Sequence, residues 1–81
     1  MKRICKFDLE YINNFKLYIG ILKDEKEFSI VGMLIKNEKV VEYCETIGIS
    51  DYNKANEIFN IFKDNKVFPS HFYNVMDDLC F

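Results

Sequence analysis

The residues of this chain best suited to chemistry lie near its C-terminal end. His71, the one histidine in the sequence, precedes Asn74 and Asp78 at i+3 and i+7, which places the three on one face of a helix. A histidine beside a carboxylate is the minimal pair for general acid–base work. A zinc site is the other conventional use, with Cys5, Cys44, Cys80 and His71 supplying thiolates and an imidazole. Neither reading gathers support. The turn before its helix offers no oxyanion or phosphate cradle, and the cysteines lack the close paired spacing of structural zinc sites. The P-loop, dinucleotide, HExxH, GxSxG and EF-hand patterns are missing as well. The expectation is no catalytic residue, no metal and no cofactor. His71 is expected to cap or bond the preceding loop, with the cysteines buried as small hydrophobes and Cys80 the exposed thiol.

Asp77 and Asp78 stand where a helix C-terminus disfavours negative charge. Solvation of exposed carboxylates accounts for them, and a basic partner surface would relieve them further. His71, Asn74, Asp77 and Asp78 are therefore candidates for partner contact rather than for catalysis.

Bulk composition narrows the classes. The chain has 81 residues, 49% apolar and 30% charged, a balance that fits one globular domain with one core. Aromatic residues make up 16%, which raises the area each buried side chain removes from water. The net charge of −2 is too near neutral for nonspecific phosphate binding. Tyr18, Tyr43 and Tyr52 lack interleaved cations for stacking on bases, Arg3 being the only arginine. A nucleic-acid-binding regulator remains the alternative, and it requires Lys2, Arg3, Lys6 and Lys16 to cluster at one end. Scattered cysteines fit a reducing compartment. The opening residues carry no apolar signal segment, and the longest apolar run, Ile30 to Ile35, is far short of the ~20 residues that span a bilayer. The expectation is a soluble, cytoplasmic protein.

The elements that would position these residues follow from hydrophobic period. Cys5, Phe7, Leu9 and Tyr11 alternate with Lys6, Asp8 and Glu10, a strand with one face in and one out. The spacing predicts strands over about 3–12, 15–23, 28–36 and 39–47. Phe15, Leu17, Ile19 and Ile21 share one face of the second, with Tyr18, Gly20 and Leu22 on the other. The third is apolar on both faces, Phe28, Ile30 and Leu34 against Val31, Met33 and Ile35, as a central strand or one with a second contact face would be. On the fourth, Val41, Tyr43 and Ile47 share a side. Gly20 and Gly32 mark close backbone approach or a bulge. The period then becomes helical: Tyr52, Ala55, Ile58, Phe59 and Phe62 stripe a helix over about 51–64, with Ser50 or Asp51 as its cap. A second helix over about 69–79 opens at Pro69 and buries Phe68, Phe72, Val75, Met76 and Leu79. Strands followed by helices predict an α+β domain, a four-stranded antiparallel meander with a C-terminal helical hairpin on one face.

Tyr18-Ile19-Gly20-Ile21, the strand end and polar turn from Ile47 to Asp51, and Val67 to Leu79 carry a resemblance. Together they resemble a family of short uncharacterised proteins, a domain of unknown function, from spore-forming anaerobic Gram-positive bacteria and their mobile elements. That family tends to show a Tyr-Gly-Ile strand and a C-terminal Ser-Pro-x-His-x-x-Asp-Val-x-Glu-Asp helix. The corresponding residues here are Phe68, Pro69, His71, Asn74, Val75, Asp77 and Asp78, with Phe68 and Asn74 departing from the pattern. The resemblance implies one small cytosolic domain and assigns no catalytic residue.

What remains is a non-enzymatic protein-binding module that occupies the surface of a larger protein. Its contact residues are expected on the apolar second face of the strand pair, Tyr18, Leu22, Val31 and Met33, joined by the polar helix positions above, because interfaces favour aromatic and Met anchors. The most concrete version is a phage or mobile-element inhibitor of bacterial defence, anti-CRISPR-like. A host regulatory adaptor is an alternative, and a homodimer is expected as one state of so small a domain.

Overall fold

The computed structural model describes residues 2–79. Alternating apolar residues and two-residue turns build one antiparallel sheet in chain order, β1 (Lys2–Ile12), β2 (Phe15–Asp24), β3 (Glu27–Lys36) and β4 (Lys39–Glu45). Asn37 and Glu38 take φ of 52° and 64°, as a type I′ hairpin turn requires. The first loop residues of the other two turns, Asn13 and Glu25, also have positive φ. Helix α1 (Tyr52–Asp64) and helix α2 (Phe72–Asp78) complete the expected α+β arrangement, with the helical region packed on one face of the sheet.

The caps explain where the helices start and stop. Asp51 Oδ1 accepts from the Asn53 N–H at 2.9 Å, so Asp51 is the N-cap of α1. At the other end Lys66 turns left-handed, φ 51°, and the Val67 N–H donates back to the Phe62 carbonyl at 2.9 Å. The second helix differs from the continuous one expected over 69–79. Pro69–His71 forms a 3-10 turn and the α-helix begins at Phe72. His71, at φ −108° and ψ 2°, leaves α geometry between them. β4 also stops earlier than expected. Thr46 Oγ1 accepts from the Ile30 N–H, and the Thr46 N–H donates to the Ile30 carbonyl, both at 2.9 Å. The chain then departs, leaving Ile47 exposed, and Ile49 rejoins β3 as a bridge to Phe28.

The core lies between the helices and the inner faces of β2 and β3. Leu17, Ile19, Ile21, Ile30 and Leu34 meet Ala55, Ile58, Phe59, Phe62, Phe72 and Met76, all buried. Phe62 and Phe72 stack with ring centroids 4.3 Å apart. Phe72 also lies over Gly32, where any Cβ would overlap its ring. Gly32 therefore marks close side-chain approach, while the bulges fall at Cys5 in β1 and Val41 in β4.

β1 overturns the expectation that its apolar stripe faces in. Phe7 pairs with Gly20, Leu9 with Tyr18 and Tyr11 with Lys16, so the stripe lies on the face away from the helices. Its polar residues Lys6, Asp8 and Glu10 stand opposite Ile21, Ile19 and Leu17 on the helix side. α1 packs over β2 and β3, and the long Lys6 side chain reaches it from β1, its Nζ 2.8 Å from Asn56 Oδ1 and 5.1 Å from the Phe59 ring centre.

A candidate interaction surface on the open sheet face

One face of the sheet carries the helices; among the described residues the other carries none. The molecule is 16 Å thick between Cα extremes, enough for one sheet and one helical layer. Strand alternation sends Ile4, Phe7, Leu9 and Tyr11 to the open side, with Tyr18, Gly20, Leu22, Val31, Met33 and Ile35 beside them and Val40 and Tyr43 at the far edge. Ile4 is 64% exposed, Phe7 61%, Tyr11 70% and Tyr43 58%. Ile4, Phe7 and Tyr11 run along β1 beside the half-buried Tyr18, Val31 and Met33, so they form a patch rather than scattered surface residues.

The patch has relief. Gly20 stands between Phe7 and Val31 with no side chain of its own, and the bulge at Cys5 leaves Ile4 on the same face as Phe7. Ile4, Phe7, Tyr18, Gly20, Val31 and Met33 line a hollow of about 190 Å³. An apolar cavity of about 150 Å³ takes up a benzene ring, whereas pockets for larger organic ligands run to about 300–1,000 Å³. The hollow therefore fits one aromatic or branched side chain.

A charged lip bounds it. Lys2 of β1 donates from Nζ to Glu45 Oε2 of β4 at 2.6 Å, tying together the two edge strands across the open face. Tyr43 donates its hydroxyl to Glu45 Oε1 at 3.2 Å and Ser29 donates to Oε2 at 3.4 Å. The Lys2 hydrogen bond and charge hold the Glu45 carboxyl below its ordinary range, against a smaller opposing effect of burial. The same partnership raises Lys2. Burial first, and then the Glu45 charge, push Tyr43 up. Cys44 points to the helix side, opposite Gly32, and burial with the Glu45 charge raises its thiol, so it stays protonated near neutrality.

The structure brings four of the sequence-predicted residues together: Tyr18, Leu22, Val31 and Met33 are neighbours on the open face. That expectation did not include the β1 residues Ile4, Phe7, Leu9 and Tyr11; alternation grouped Phe7, Leu9 and Tyr11 with Cys5 on the inward face and left Ile4 out. His71, Asn74, Asp77 and Asp78 are exposed on the helical side of the sheet and do not join the patch. Of the two expected roles for His71, to cap or to bond the preceding loop, it makes no side-chain cap, while its backbone N–H bonds the Phe68 carbonyl at 2.8 Å. Cys5 is exposed at the β1 edge rather than buried, and Cys80 lies outside the described residues. Among the described residues no group of three His, Cys, Asp or Glu side chains converges as a metal site. The basic residues disperse: Lys2 is engaged by Glu45, Lys6 and Arg3 lie on the opposite face, and Lys16 stands at the other end beside Tyr11. Among the described residues no helix is long and apolar enough to cross a membrane. No protein-family model matches this chain, and no curated protein or solved structure matches it either.

Proposed function

We propose that this chain is a non-enzymatic protein-binding module whose open sheet face seats on a larger protein. The observation that carries the reading is the uncovered apolar face with a ring-sized hollow at its centre. The occupant is a protein surface that presents one aromatic or branched side chain to the hollow and apolar residues around it. The Lys2–Glu45 lip supplies polar groups at the rim, where interfaces are wet. Small size and a composition rich in Lys, Asn and Ile support a mobile-element inhibitor of bacterial defence as the concrete version.

The test is affinity capture from the native host with the wild-type chain and with Tyr18→Asp/Met33→Asp, after circular dichroism has established that both fold alike. A stoichiometric protein retained by the wild type and lost by the variant supports the reading. Equal retention by both, or recovery of nucleic acid in place of protein, overturns it.

A further inference from the structure

The two edges of the sheet are not alike. β4 is short, bulged at Val41, and flanked by the Pro69–His71 turn, with the Ser70 N–H donating to Glu42 Oε1 at 3.1 Å and the Tyr73 hydroxyl to the Glu45 carbonyl at 3.3 Å. Among the described residues β1, with 11, is the longest strand and pairs on one side only. A long edge with unpaired main-chain groups is a template for another strand. We infer that the partner at this edge is a second copy of the chain, its β1 antiparallel to the first about a two-fold axis at Phe7.

Main-chain direction allows this register. Ile12 and Phe15 flank a two-residue turn, where the flanking pair exchanges both hydrogen bonds. Alternation then turns the N–H and C=O of Phe7, Leu9 and Tyr11 away from β2. With the axis at Phe7, the two Phe7 residues become such a hydrogen-bonded pair. Lys6 falls opposite Asp8 of the second copy. The extra residue at Cys5 then shifts the pairing by one, as it does against β2, so Ile4 meets Leu9 and Arg3 meets Glu10.

Two independent matches follow. Every pair keeps its face: Phe7, Ile4 and Leu9 lie on the open side, and Lys6, Asp8, Arg3 and Glu10 on the helix side. Every charged pair is opposite in sign and occurs twice by symmetry, as an isologous interface demands. Opposite charges directly across strands favour the register, and like charges oppose it. An axis at Leu9 would instead set Asp8 against Glu10. Lys6 keeps its reach to Asn56, and Glu10 its contact with Lys66 at 3.2 Å, since all are solvent-accessible and can share. The product is a continuous sheet with twice the four strands of one copy, its two hollows on one side. The edge is separate from the face proposed for the larger partner, so the two ideas stand or fall separately.

The experiment measures mass in solution. The wild type is expected to be dimeric by sedimentation equilibrium. Arg3→Glu/Lys6→Glu makes the edge acidic throughout, and Asp8→Lys/Glu10→Lys makes it basic. Each alone is expected to dissociate at least about tenfold more readily, and an equimolar mixture of the two to recover a heterodimer. A wild type that stays monomeric to about 1 mM overturns the inference. So does a mixture that fails to recover, or variants that dimerise as the wild type does, which would put the second copy on the open face. Should either variant misfold, Phe7→Cys in a Cys5→Ser/Cys44→Ser/Cys80→Ser background decides: it links to itself on oxidation. Tyr11→Cys in the same background, about 13 Å along the strand from the axis, does not; linkage at Tyr11 alone would refute the register. Tyr18→Asp/Met33→Asp retains the dimer while losing partner capture.

Discussion

Gly20 and Gly32 occupy the middle of adjacent strands, yet they are there for different physical reasons. A methyl at Gly32 would overlap the Phe72 ring, which is fully buried and stacked on Phe62. Gly32→Ala must push that ring out of the core, and overpacking of this kind costs about 1–3 kcal/mol; urea unfolding should show that loss. At Gly20 the nearest atoms to an added Cβ are the Lys6 carbonyl at 3.1 Å and Phe7 Cβ at 3.4 Å. A small shift relieves that contact, so Gly20→Ala is expected to change stability by no more than about 1 kcal/mol, while narrowing the hollow and weakening partner capture. The sequence marked both glycines as points of close approach. It did not distinguish them, because the distinction depends on which face the Phe72 ring covers. The Glu45 cluster is a second residue-scale feature with a direction. Its folded carboxyl ionises below the ordinary value of 4.5, so its contribution is complete above that value and is lost as pH falls through the folded one. Lys2, raised above 10.5, contributes below that value and ceases to do so as pH rises through its folded one. The pair therefore supports the fold between those limits, modestly for so exposed a bridge. Acid titration between about pH 5 and pH 3 should cost the wild type more stability than it costs Glu45→Gln; equal slopes would remove the pair from the account.

The behaviour of β1 separates what an element's pattern states from what it leaves open. Alternation of Phe7, Leu9 and Tyr11 with Lys6, Asp8 and Glu10 was legible as a strand, because period two is a property of the backbone alone. Which set faces inward depends on where the helices pack, and α1 sits over β2 and β3 rather than over β1. Phe7→Thr and Ile19→Thr turn that geometry into a measurement. Phe7 is 61% exposed and Ile19 2%. The first change is expected to stay within about 0.5 kcal/mol, as surface substitutions do. The second removes core volume and buries a hydroxyl, for a loss of about 2–5 kcal/mol. Comparable losses at the two positions would place the β1 stripe in the core after all. The helices follow the same logic. The α1 stripe was readable from spacing and its cap as Ser50 or Asp51; the structure selects Asp51, and Asp51→Ala should cost about 1 kcal/mol in chemical denaturation. The break between Pro69–His71 and α2 was not readable, because it arises from the conformation at His71, which apolar spacing does not encode.

At the scale of the whole molecule, the chain builds two layers and leaves the apolar side of the first uncovered. The four central residues of that side, Tyr18, Leu22, Val31 and Met33, could be foreseen from the second and third strands, whose second faces are not polar. The hollow could not, since it needs Gly20 placed between Phe7 and Val31 and the bulge that puts Ile4 on the face of Phe7. This geometry makes a prediction about the native state. A hydrophobic reporter dye such as ANS normally marks loosened, molten states. Here it should bind the fully folded protein, under conditions where thermal unfolding is still cooperative. Binding per chain should not change with protein concentration through the range in which β1 edges pair, because edge pairing leaves the open face bare. If two copies packed face to face, dye binding would fall as concentration rose, and Val31→Asp, which sets a charge at the centre of the face, would abolish the dimer along with the dye signal. Under edge pairing Val31→Asp abolishes the dye signal alone. Fluorescence titration and sedimentation on the same samples therefore separate a covered face from a paired edge.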